Sequence, residues 1–240
     1  MNKIKEAIIL AGGLGTRLSD TVPGLPKSLA PVAGKPFLHY IMHYLHEQGI
    51  ERFIFALGHK HEAIQQFLNE DFADIDIDYS IEEFPLGTGG AIKLACSKLL
   101  GEHAFVFNGD TMFKVDLERM SGFHDQKFAQ CTLALKPMEK IDRYGVVEVN
   151  GDGVIIKFHE KRYYERGLIN GGVYILGRSI FSKKKFPESF SFEKDYLEEN
   201  INERKIFGFV QDHYFIDIGI PEDYRRAQTE FLRFANSKDA

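Results

Sequence analysis

The chain has 240 residues, 44% of them hydrophobic, and a formal net charge of −5 at pH 7. One globular domain covering residues 1–240 can bury ~70–75% of the surface that the unfolded chain exposes. The acidic balance argues against nucleic acid and against an anionic membrane as partners, so small phosphorylated ligands held by a local group of cations fit better.

The first half of the chain predicts alternating strands and helices. Residues 7–11 form a continuous apolar run, as in a strand buried on both faces. "GKPFLHYIMHYLHEQG" predicts a helix, and the alternation continues through "RFIFALG", "HEAIQQFLNE", "IDIDYSI", "GGAIKLACSKLL" and "HAFVFNGD". This order predicts an α/β fold in which helices flank a Rossmann-like mixed, mainly parallel sheet, with ligands at the carboxyl ends of the strands.

The second half predicts antiparallel strands. Alternating runs in "QCTLALKP" and "GVVEVNGDGVIIKFHEK", with a tight "NGDG" turn, predict a small antiparallel insertion over roughly residues 130–165 that forms a lip over the sheet. "NGGVYILG" predicts a strand returning to the sheet, "KDYLEENI" a helix, and "KIFGFV" and "HYFIDIG" two strands. "PEDYRRAQTEFLRFA" predicts a closing helix with proline in its first turn.

Cysteine content and the N-terminal segment indicate the compartment. Cys96 and Cys131 are the only cysteines, too few for a disulfide framework and without metal-ligand spacing, which is typical of a reducing compartment. The apolar run at residues 7–11 is too short for a signal peptide or a membrane span. We therefore expect a cytoplasmic protein without a membrane partner.

The loop after the first strand, "AGGLGTRLSDTVPGLPK", combines glycines with cations. It lacks the Gly-Lys-Ser/Thr sequence of a P-loop, and Leu18 stands where a dinucleotide fingerprint has its third glycine. Glycines still let backbone N–H groups approach an anion, and Thr16, Arg17 and Lys27 add a hydroxyl and two positive charges. The loop predicts an oxyanion site, and the alternative is an ordinary turn with surface charges.

Two aspartates follow predicted strands. Asp110 ends "FVFNGD" and Asp217 lies in "HYFIDIG", the usual place for functional carboxylates in an open α/β sheet. If they converge, they could bind Mg²⁺, which takes one or two carboxylates together with phosphate oxygens of the substrate. The alternative for each is an aspartate that caps a turn.

A second glycine-rich segment, "EEFPLGTGGAI", leads into a helix. Its glycines would let the backbone pass close to a flat ligand: Gly87, Gly89 and Gly90. Glu82 and Glu83 offer acceptors for a base with paired N–H donors, such as guanine. The alternative is an ordinary loop capped by Thr88.

Two further groups of polar residues are notable. In "FHEK", Glu160 and Lys161 stand side by side at a strand end, where they could bind a sugar hydroxyl and its phosphate, or form a surface ion pair. The histidines of the first helix are predicted to lie on a solvated or interface face rather than to bind zinc: His39, His43 and His46.

Taken together, these segments carry a family resemblance. Over almost its whole length the chain resembles the sugar 1-phosphate nucleotidyltransferases, also called nucleotide-sugar pyrophosphorylases. The motifs are "LAGGLGTRL", the later "PK", "PLGTGGAI", "NGD", "YGVVE", "FHEK", "NGGVY" and "DIGIPEDY", in the family's order. Each is weak alone, whereas the ordered set is highly specific. The chain departs from many relatives at Ser19-Asp20, where they have a proline.

The resemblance implies roles for individual residues. It implies that Arg17 binds the phosphates that leave, that Lys27 binds the α-phosphate, and that Lys161 binds the sugar phosphate. Asp110 and Asp217 would bind Mg²⁺. The implied nucleotide site comprises Leu10, Ala11, Gly12, Gly13, Gly15, Thr16, Glu82, Gly87, Thr88, Asn108 and Gly109. The implied sugar-phosphate site comprises Tyr144, Gly145, Glu160, Asn170 and Gly171.

The resemblance also implies the reaction, with GTP and a sugar 1-phosphate as substrates. Details such as "GLPKSLAPVAGKPFLHY" are most similar to the bacterial D-glycero-α-D-manno-heptose 1-phosphate guanylyltransferases. That branch implies transfer of GMP to the heptose 1-phosphate, giving GDP-heptose and pyrophosphate for surface polysaccharide synthesis. The alternatives are a guanylyltransferase for mannose 1-phosphate, an enzyme for another hexose 1-phosphate, and a regulatory subunit that binds a nucleotide sugar without catalysis.

Two expectations concern architecture and assembly. The short segment after "DIGIPEDY" predicts that the left-handed β-helix domain of larger relatives is missing. An exposed apolar face on the strands of the second half would indicate a homodimer.

Overall fold

The strands and helices alternate through the first half of the chain, as the hydrophobic pattern predicts. A computed structural model describes residues 3–13 and 22–236. The strands are β1 (Glu6–Leu10), β2 (Pro31–Val32), β3 (Lys35–Pro36), β4 (Arg52–Leu57), β5 (Asp76–Ile81), β6 (His103–Asn108), β7 (Thr111–Phe113), β8 (Cys131–Ile141), β9 (Val146–Val149), β10 (Ile155–Phe158), β11 (Tyr164–Gly177), β12 (Ile206–Val210) and β13 (Phe215–Asp217). The helices are α1 (Phe37–Glu47), α2 (His61–Asp71), α3 (Gly87–Cys96), α4 (Leu117–Gln126) and α5 (Pro221–Asn236).

The central sheet is built around β1. β4 and β6 pair with β1 on either side in parallel, with Ile8 beside both Ile54 and Val106. β5 adds a further parallel strand beyond β4, and β11 pairs antiparallel with β6. The chain thus moves outward from β1 to β5 and then crosses back to β6, so a crevice for ligands is expected beyond the carboxyl ends of β1 and β6.

The antiparallel strands of the second half extend the same sheet. β9 pairs with β11 and β10, while β8 pairs with β11 and β12. β11 pairs with β9 at Leu168 and Ile169 and with β6 from Val173 onward. Its pairing with β8 shifts register between Asn170 and Tyr174. Residues 170–172 therefore form a bend next to the carboxyl end of β6.

Each face of the sheet buries its own hydrophobic cluster. Successive residues of a strand point to opposite faces, so Ile9 packs with Phe37 of α1 and Ile8 packs with Ile92 of α3. All four side chains are fully buried, and each such burial is worth roughly 1.5–3 kcal/mol. This packing on both faces fixes the strand ends.

Among the described residues, no helix is both long and apolar enough to span a membrane.

A short antiparallel pair, β7 and β13, lies outside the main sheet. Its register sets Asp217 opposite Thr111 and Phe215 opposite Phe113. The backbone N–H of Ile218 also donates to the carbonyl of Asp110 at 3.0 Å. These contacts bring two strand ends together that are far apart in the sequence.

The predicted helix in "KDYLEENI" is wrong in type. The chain forms a π-helical turn at Phe192–Glu198 and a 3₁₀ turn at Ile201–Glu203. Ser191 and Asp195 accept hydrogen bonds from backbone N–H groups of this segment, and such side chains compete with the α-helical ladder. The rings of Phe192 and Tyr196 stack at 5.3 Å.

The histidines of α1 separate into two environments. His43 and His46 are exposed, as predicted, whereas His39 is half-buried. The His39 ring lies 5.8 Å from that of Phe72, and its Nδ1 is 3.6 Å from a carboxylate oxygen of Asp71. The described residues contain no group of three or more potential ligands that could hold a metal ion.

Candidate active site

A cavity of about 1180 Å³ opens at the carboxyl ends of β1, β4, β5 and β6. This is the edge where the strand order predicts a ligand. The predicted site residues that line it are Leu10, Ala11, Gly12, Gly13, Lys27, Glu82, Gly87, Thr88, Asn108, Gly109 and Asp110. The predicted site residues Gly15, Thr16 and Arg17 lie outside the described residues.

The Glu82 carboxylate is held at the cavity wall by its neighbours. Its Oε2 accepts a hydrogen bond from the backbone N–H of Leu86 at 3.0 Å. Its Oε1 lies so close to two glycines that an added Cβ would be 3.0 Å away at Gly12 and 2.6 Å away at Gly58. Glycine at both positions therefore leaves the space that the carboxylate occupies.

Gly109 closes the gap between β1 and β6. Its N–H donates to the carbonyl of Leu10 at 2.9 Å, and a Cβ there would be 2.9 Å from the same oxygen. Gly109 thus lets two backbone segments of the cavity floor approach each other.

The glycines at the start of α3 make room mainly for the protein itself. A Cβ on Gly89 would overlap the ring of Phe190, and one on Gly90 would lie 2.5 Å from the carbonyl oxygen of Glu188. Our prediction that they bring the backbone close to a flat ligand is therefore wrong for these two. Gly87, at φ +70°, lines the cavity and also touches Phe190.

Lys27, Asp110 and Asp217 meet at one end of the cavity. Lys27 follows Pro26 at the start of a 3₁₀ turn, Lys27–Leu29, and its Nζ lies 2.5 Å from Oδ2 of Asp110. Oδ1 of Asp217 accepts from the N–H of Gly219 at 2.7 Å. A Cβ on Gly219 would be 2.7 Å from that oxygen and 3.3 Å from Nζ of Lys27. The ammonium and both carboxylates therefore share one small space.

The acid pair suits a divalent cation. Burial raises the pKa of Asp217, and the negative charge of Asp110 raises this pKa further, while the Gly219 N–H, Lys27 and Arg143 oppose the rise. The pair is therefore short of positive charge, and it offers only carboxylate oxygens, the ligands that Mg²⁺ prefers. With two protein carboxylates, a bound cation would complete its coordination with substrate phosphate oxygens and water.

Tyr144 connects the acid pair to a second charged group. Its hydroxyl donates to Oδ2 of Asp217 at 3.3 Å, and burial followed by the charge of Asp217 raises its pKa, so it stays a donor. The Arg143 guanidinium lies 5.2 Å from the Tyr144 ring centre and forms an ion pair with the buried Asp223 at the start of α5. Sequence reasoning missed Arg143 and Asp223, although Arg143 directly precedes the motif "YGVVE" and Asp223 lies within "DIGIPEDY".

The other predicted sugar-phosphate residues have different surroundings. Gly145 abuts the carbonyl of His159 (3.1 Å from an added Cβ), and the N–H of His159 donates to the carbonyl of Val146. These contacts set the β10–β11 loop, with its exposed Glu160 and Lys161, beside Tyr144. Among the described residues, no hydrogen bond or ion pair links that loop directly with the acid pair.

Asn170 and Gly171 lie at the bend of β11. Nδ2 of Asn170 donates to the hydroxyl of Tyr174 at 2.9 Å, and its Oδ1 accepts from the N–H of Gly172 at 3.0 Å. A Cβ on Gly171 would overlap the Phe113 ring. Asn170 therefore stabilises the bend by hydrogen bonds, and Gly171 lets β11 pass close to β7.

The segment between β4 and α2 also lines the cavity, which the sequence did not indicate. Gly58, His59 and Lys60 contribute to the wall, as does His61 at the start of α2. Lys60 has a left-handed backbone (φ 60°, ψ 32°), and its Nζ donates to the carbonyl of Gly24 at 2.9 Å. The available signal was the position of this segment, since it follows a buried parallel strand.

Three features define an α/β enzyme that acts on phosphoryl groups: the order of the strands, the cavity at their carboxyl ends, and the lysine beside two carboxylates. Residues 6–233 match the family described as Nucleotidyl transferase, and the chain belongs to this family of enzymes. Nucleotidyltransferases of this family generally use a divalent metal.

Individual relatives cover nearly the whole chain. The chain is 51% identical to D-glycero-alpha-D-manno-heptose 1-phosphate guanylyltransferase from Aneurinibacillus thermoaerophilus, over 95% of this chain and 99% of the relative. It is 47% identical to the protein of the same name from Campylobacter jejuni, over 91% and 96%.

Solved structures agree in fold. The crystal structure of HddC from Yersinia pseudotuberculosis superposes with a TM-score of 0.85 at 36% identity, over 95% of this chain and 100% of that chain. The same protein complexed with GMP-PN superposes with a TM-score of 0.84. These matches confirm the predicted mixed, mainly parallel sheet flanked by helices.

Proposed function

We propose that this chain transfers GMP from GTP to D-glycero-α-D-manno-heptose 1-phosphate, giving GDP-heptose and pyrophosphate for surface polysaccharide synthesis. The observation that carries the proposal is the meeting of Lys27, Asp110 and Asp217 at the end of a nucleotide-sized cavity. The choice of heptose and guanine is supported by the relatives that are 51% and 47% identical and by the GMP-PN complex of HddC.

The reaction joins two polyanions. An oxygen of the acceptor phosphate attacks the α-phosphorus of GTP, a new P–O bond forms, and the bond to the β-phosphate oxygen breaks, so that pyrophosphate leaves. Because the attacking phosphate is already anionic at neutral pH, no side-chain nucleophile or general base is needed. Catalysis then depends on positioning and on positive charge near the phosphorus. We assign Lys27 to the α-phosphate and Arg17 to the departing pyrophosphate.

The proposed metal is Mg²⁺, bound by Asp110 and Asp217. When bound there, Mg²⁺ would neutralise phosphate charge and orient the phosphate oxygens. The raised pKa of Asp217, caused by burial and by Asp110, supports a cation at this point. Lys27, in contact with Asp110, would supply a second positive charge on the same side of the α-phosphate.

The proposed nucleotide site uses backbone edges and one acid. The strand-end residues Leu10, Ala11, Gly12, Gly13, Asn108 and Gly109 would contact the nucleotide, together with Gly87 and Thr88 at the start of α3. Glu82 would accept hydrogen bonds from the two N–H groups on one edge of guanine. Each carboxylate oxygen can accept more than one hydrogen bond, so the existing bond from Leu86 leaves capacity for the base.

The proposed acceptor site comprises Tyr144, Gly145, Glu160, Asn170 and Gly171, with Lys161 on the sugar phosphate. The hydrogen bond from Tyr144 to Asp217 supports this assignment, because it joins the acceptor side to the acid pair. Lys161 would add the cation that the acceptor phosphate requires as it approaches GTP.

A pyrophosphate-release assay with Mg²⁺ tests the proposal. GTP, ATP, UTP, dTTP and CTP are each crossed with heptose, mannose and glucose 1-phosphates, and we expect the highest kcat/KM for GTP with the heptose. Higher kcat/KM with mannose 1-phosphate would favour the activity named for relatives that are about 32% identical. If no substrate pair releases pyrophosphate, the proposed enzymatic role is contradicted.

Two exposed lysines, one in the β10–β11 loop and one on β10, provide a matched comparison for the acceptor site. Lys161→Ala should raise KM for the sugar 1-phosphate at least tenfold, because a charge-assisted hydrogen bond to phosphate is lost. Lys157→Ala, on the neighbouring strand β10 and also exposed, should leave KM unchanged. Equal effects of the two changes would show only a general loss of surface charge.

Assembly and compartment are further parts of the proposal. Ile156 on β10 and Val210 on β12 are exposed apolar residues of the second half, which supports a homodimer that light scattering can test.

A cytoplasmic location is supported by the two free, buried cysteines. Burial raises the pKa of the Cys96 thiol to about 12, so it would stay an inert thiol.

A further inference from the structure

A chain of hydrogen bonds runs between the nucleotide side and the acceptor side of the active site. On the nucleotide side, Oγ1 of Thr88 donates to Oε2 of Glu193 at 2.7 Å. On the acceptor side, Nδ2 of Asn170 donates to the hydroxyl of Tyr174 at 2.9 Å, and this hydroxyl donates to Oε1 of Glu193 at 3.4 Å. The two oxygens of one carboxylate therefore join α3 to the bend of β11.

Glu193 is not itself a lining residue of the cavity. It lies half-buried in the π-helical turn Phe192–Glu198, and the hydroxyls of Thr88, Ser191 and Tyr174 all donate to it. An ionised carboxylate can only accept hydrogen bonds. Each of these three hydroxyls therefore donates its proton to Glu193 and keeps its own oxygen free to accept a hydrogen bond from another group.

Tyr174 is the buried connection in this group. It is 2% exposed, and burial together with the charge of Glu193 raises its pKa well above the ordinary value, so it remains protonated and able to donate. Its hydroxyl orients Asn170, whose Oδ1 also accepts from the N–H of Gly172. Gly172 packs directly against Asn108 at the cavity floor.

Thr88 is fixed with similar precision at the other end. Its Oγ1 accepts from the backbone N–H of Phe192 at 2.9 Å while it donates to Glu193. The N–H of Gly89 donates to the carbonyl of Phe190 at 2.9 Å. The first turn of α3, which lines the cavity, is thus attached to the segment that carries Glu193.

We infer that Glu193 is a positioning residue that sets the first turn of α3 and the Asn170 bend of β11 relative to each other. The inference rests on the proposed function, in which the first element contacts GTP and the second contacts the sugar 1-phosphate. A change at Glu193, outside the cavity, affects the binding of both substrates, whereas a change at either end of the chain of hydrogen bonds affects one.

Three single variants and one double variant test this arrangement. Thr88→Val should raise KM for GTP alone, and Tyr174→Phe should raise KM for the sugar 1-phosphate alone. Glu193→Gln should raise both KM values about tenfold each, because a carboxylate oxygen that accepts from hydroxyls is replaced by a donor. The double variant Thr88→Val/Tyr174→Phe should reproduce the Glu193→Gln pattern. Glu198→Gln, an exposed acid of the same turn, is the matched control and should change neither.

The results separate the inference from the function on which it rests. If Glu193→Gln leaves either KM within twofold of the wild-type value, the inference is overturned. If that variant does not fold, as judged by circular dichroism, the inference is supported when Thr88→Val and Tyr174→Phe each act on one substrate. Effects of each on both substrates would overturn it. If the wild-type enzyme uses a different substrate pair, the proposed function is wrong, and the KM pattern is measured with that pair.

Discussion

Replacement of Lys27 by methionine tests the central electrostatic claim, because methionine keeps most of the side-chain length and removes the charge. An ammonium about 3 Å from a phosphate oxygen interacts by roughly 5 kcal/mol at an effective dielectric constant of ~20. Part of this attraction is already present with bound GTP, so only the increase in the transition state lowers the barrier. Removal of one such preorganised contact typically costs about 3 kcal/mol, so we expect kcat to fall at least a hundredfold.

The assay is steady-state pyrophosphate release with saturating GTP, sugar 1-phosphate and Mg²⁺. Lys185→Met serves as the control, since it removes the same charge from an exposed loop position and should leave kcat within twofold. Circular dichroism should show both variants folded, because Lys27 is one-fifth exposed and its contact with Asp110 is partly solvated. A folded Lys27→Met enzyme with kcat within threefold of wild type would refute this reasoning.

Three further changes have distinct expected outcomes. Gly58→Ala should displace the Glu82 side chain, because the carboxylate oxygen lies 2.6 Å from the new methyl, while the carbonyl oxygen of Gly12 lies 3.1 Å from it. KM for GTP should therefore rise about tenfold and the preference for GTP over ATP should fall. Gly122→Ala, with open space around it, should change neither. Asp217→Asn should abolish turnover yet raise Tm at pH 7.5 without metal, since burial and Asp110 raise the pKa of Asp217 and its ionised form destabilises the fold. This gain in Tm should shrink as pH falls through the raised pKa of the folded state and vanish below the ordinary aspartate pKa, where the wild-type residue is protonated in both states. Asp223→Asn should release Arg143 and lower kcat/KM for the sugar 1-phosphate about tenfold, and an unchanged kcat/KM would contradict a role for this ion pair.

The parallel part of the fold follows from local patterns. Apolar runs in β1, β4 and β6 predict strands buried on both faces, and the helices between them require parallel pairing. Once that order is accepted, the position of Asp110 at a carboxyl end is a geometric consequence. The cavity lies where this reasoning expects it.

The position of Asp217 beside Asp110 could not be predicted from local patterns. It depends on the pairing of β7 with β13, two three-residue strands more than a hundred residues apart. Such short strands have weak periodicity, and their pairing is decided by packing rather than by propensity. At the level of the sequence, only the family resemblance assigned Asp110 and Asp217 to one metal site.

The glycines of α3 illustrate a different limit. A glycine shows that something approaches the backbone closely, but it does not show whether that neighbour is a ligand or the protein. At Gly89 and Gly90 the neighbour is the 188–190 segment. The same segment leads into Glu193, whose link to α3 is likewise a tertiary contact without a local signal.

Two groups of residues in the cavity are held in place independently of each other. The position of the Glu82 carboxylate depends on glycine at positions 12 and 58, so the ends of β1, β4 and β5 together shape the proposed site for the guanine base. The Lys27, Asp110 and Asp217 group depends instead on the β7–β13 pair and on the turn at Gly219. Since the two groups share no hydrogen bond among the described residues, the effects of mutations in them should be nearly additive. Base preference should therefore be alterable at Glu82 and its glycines while the rate of phosphoryl transfer is retained.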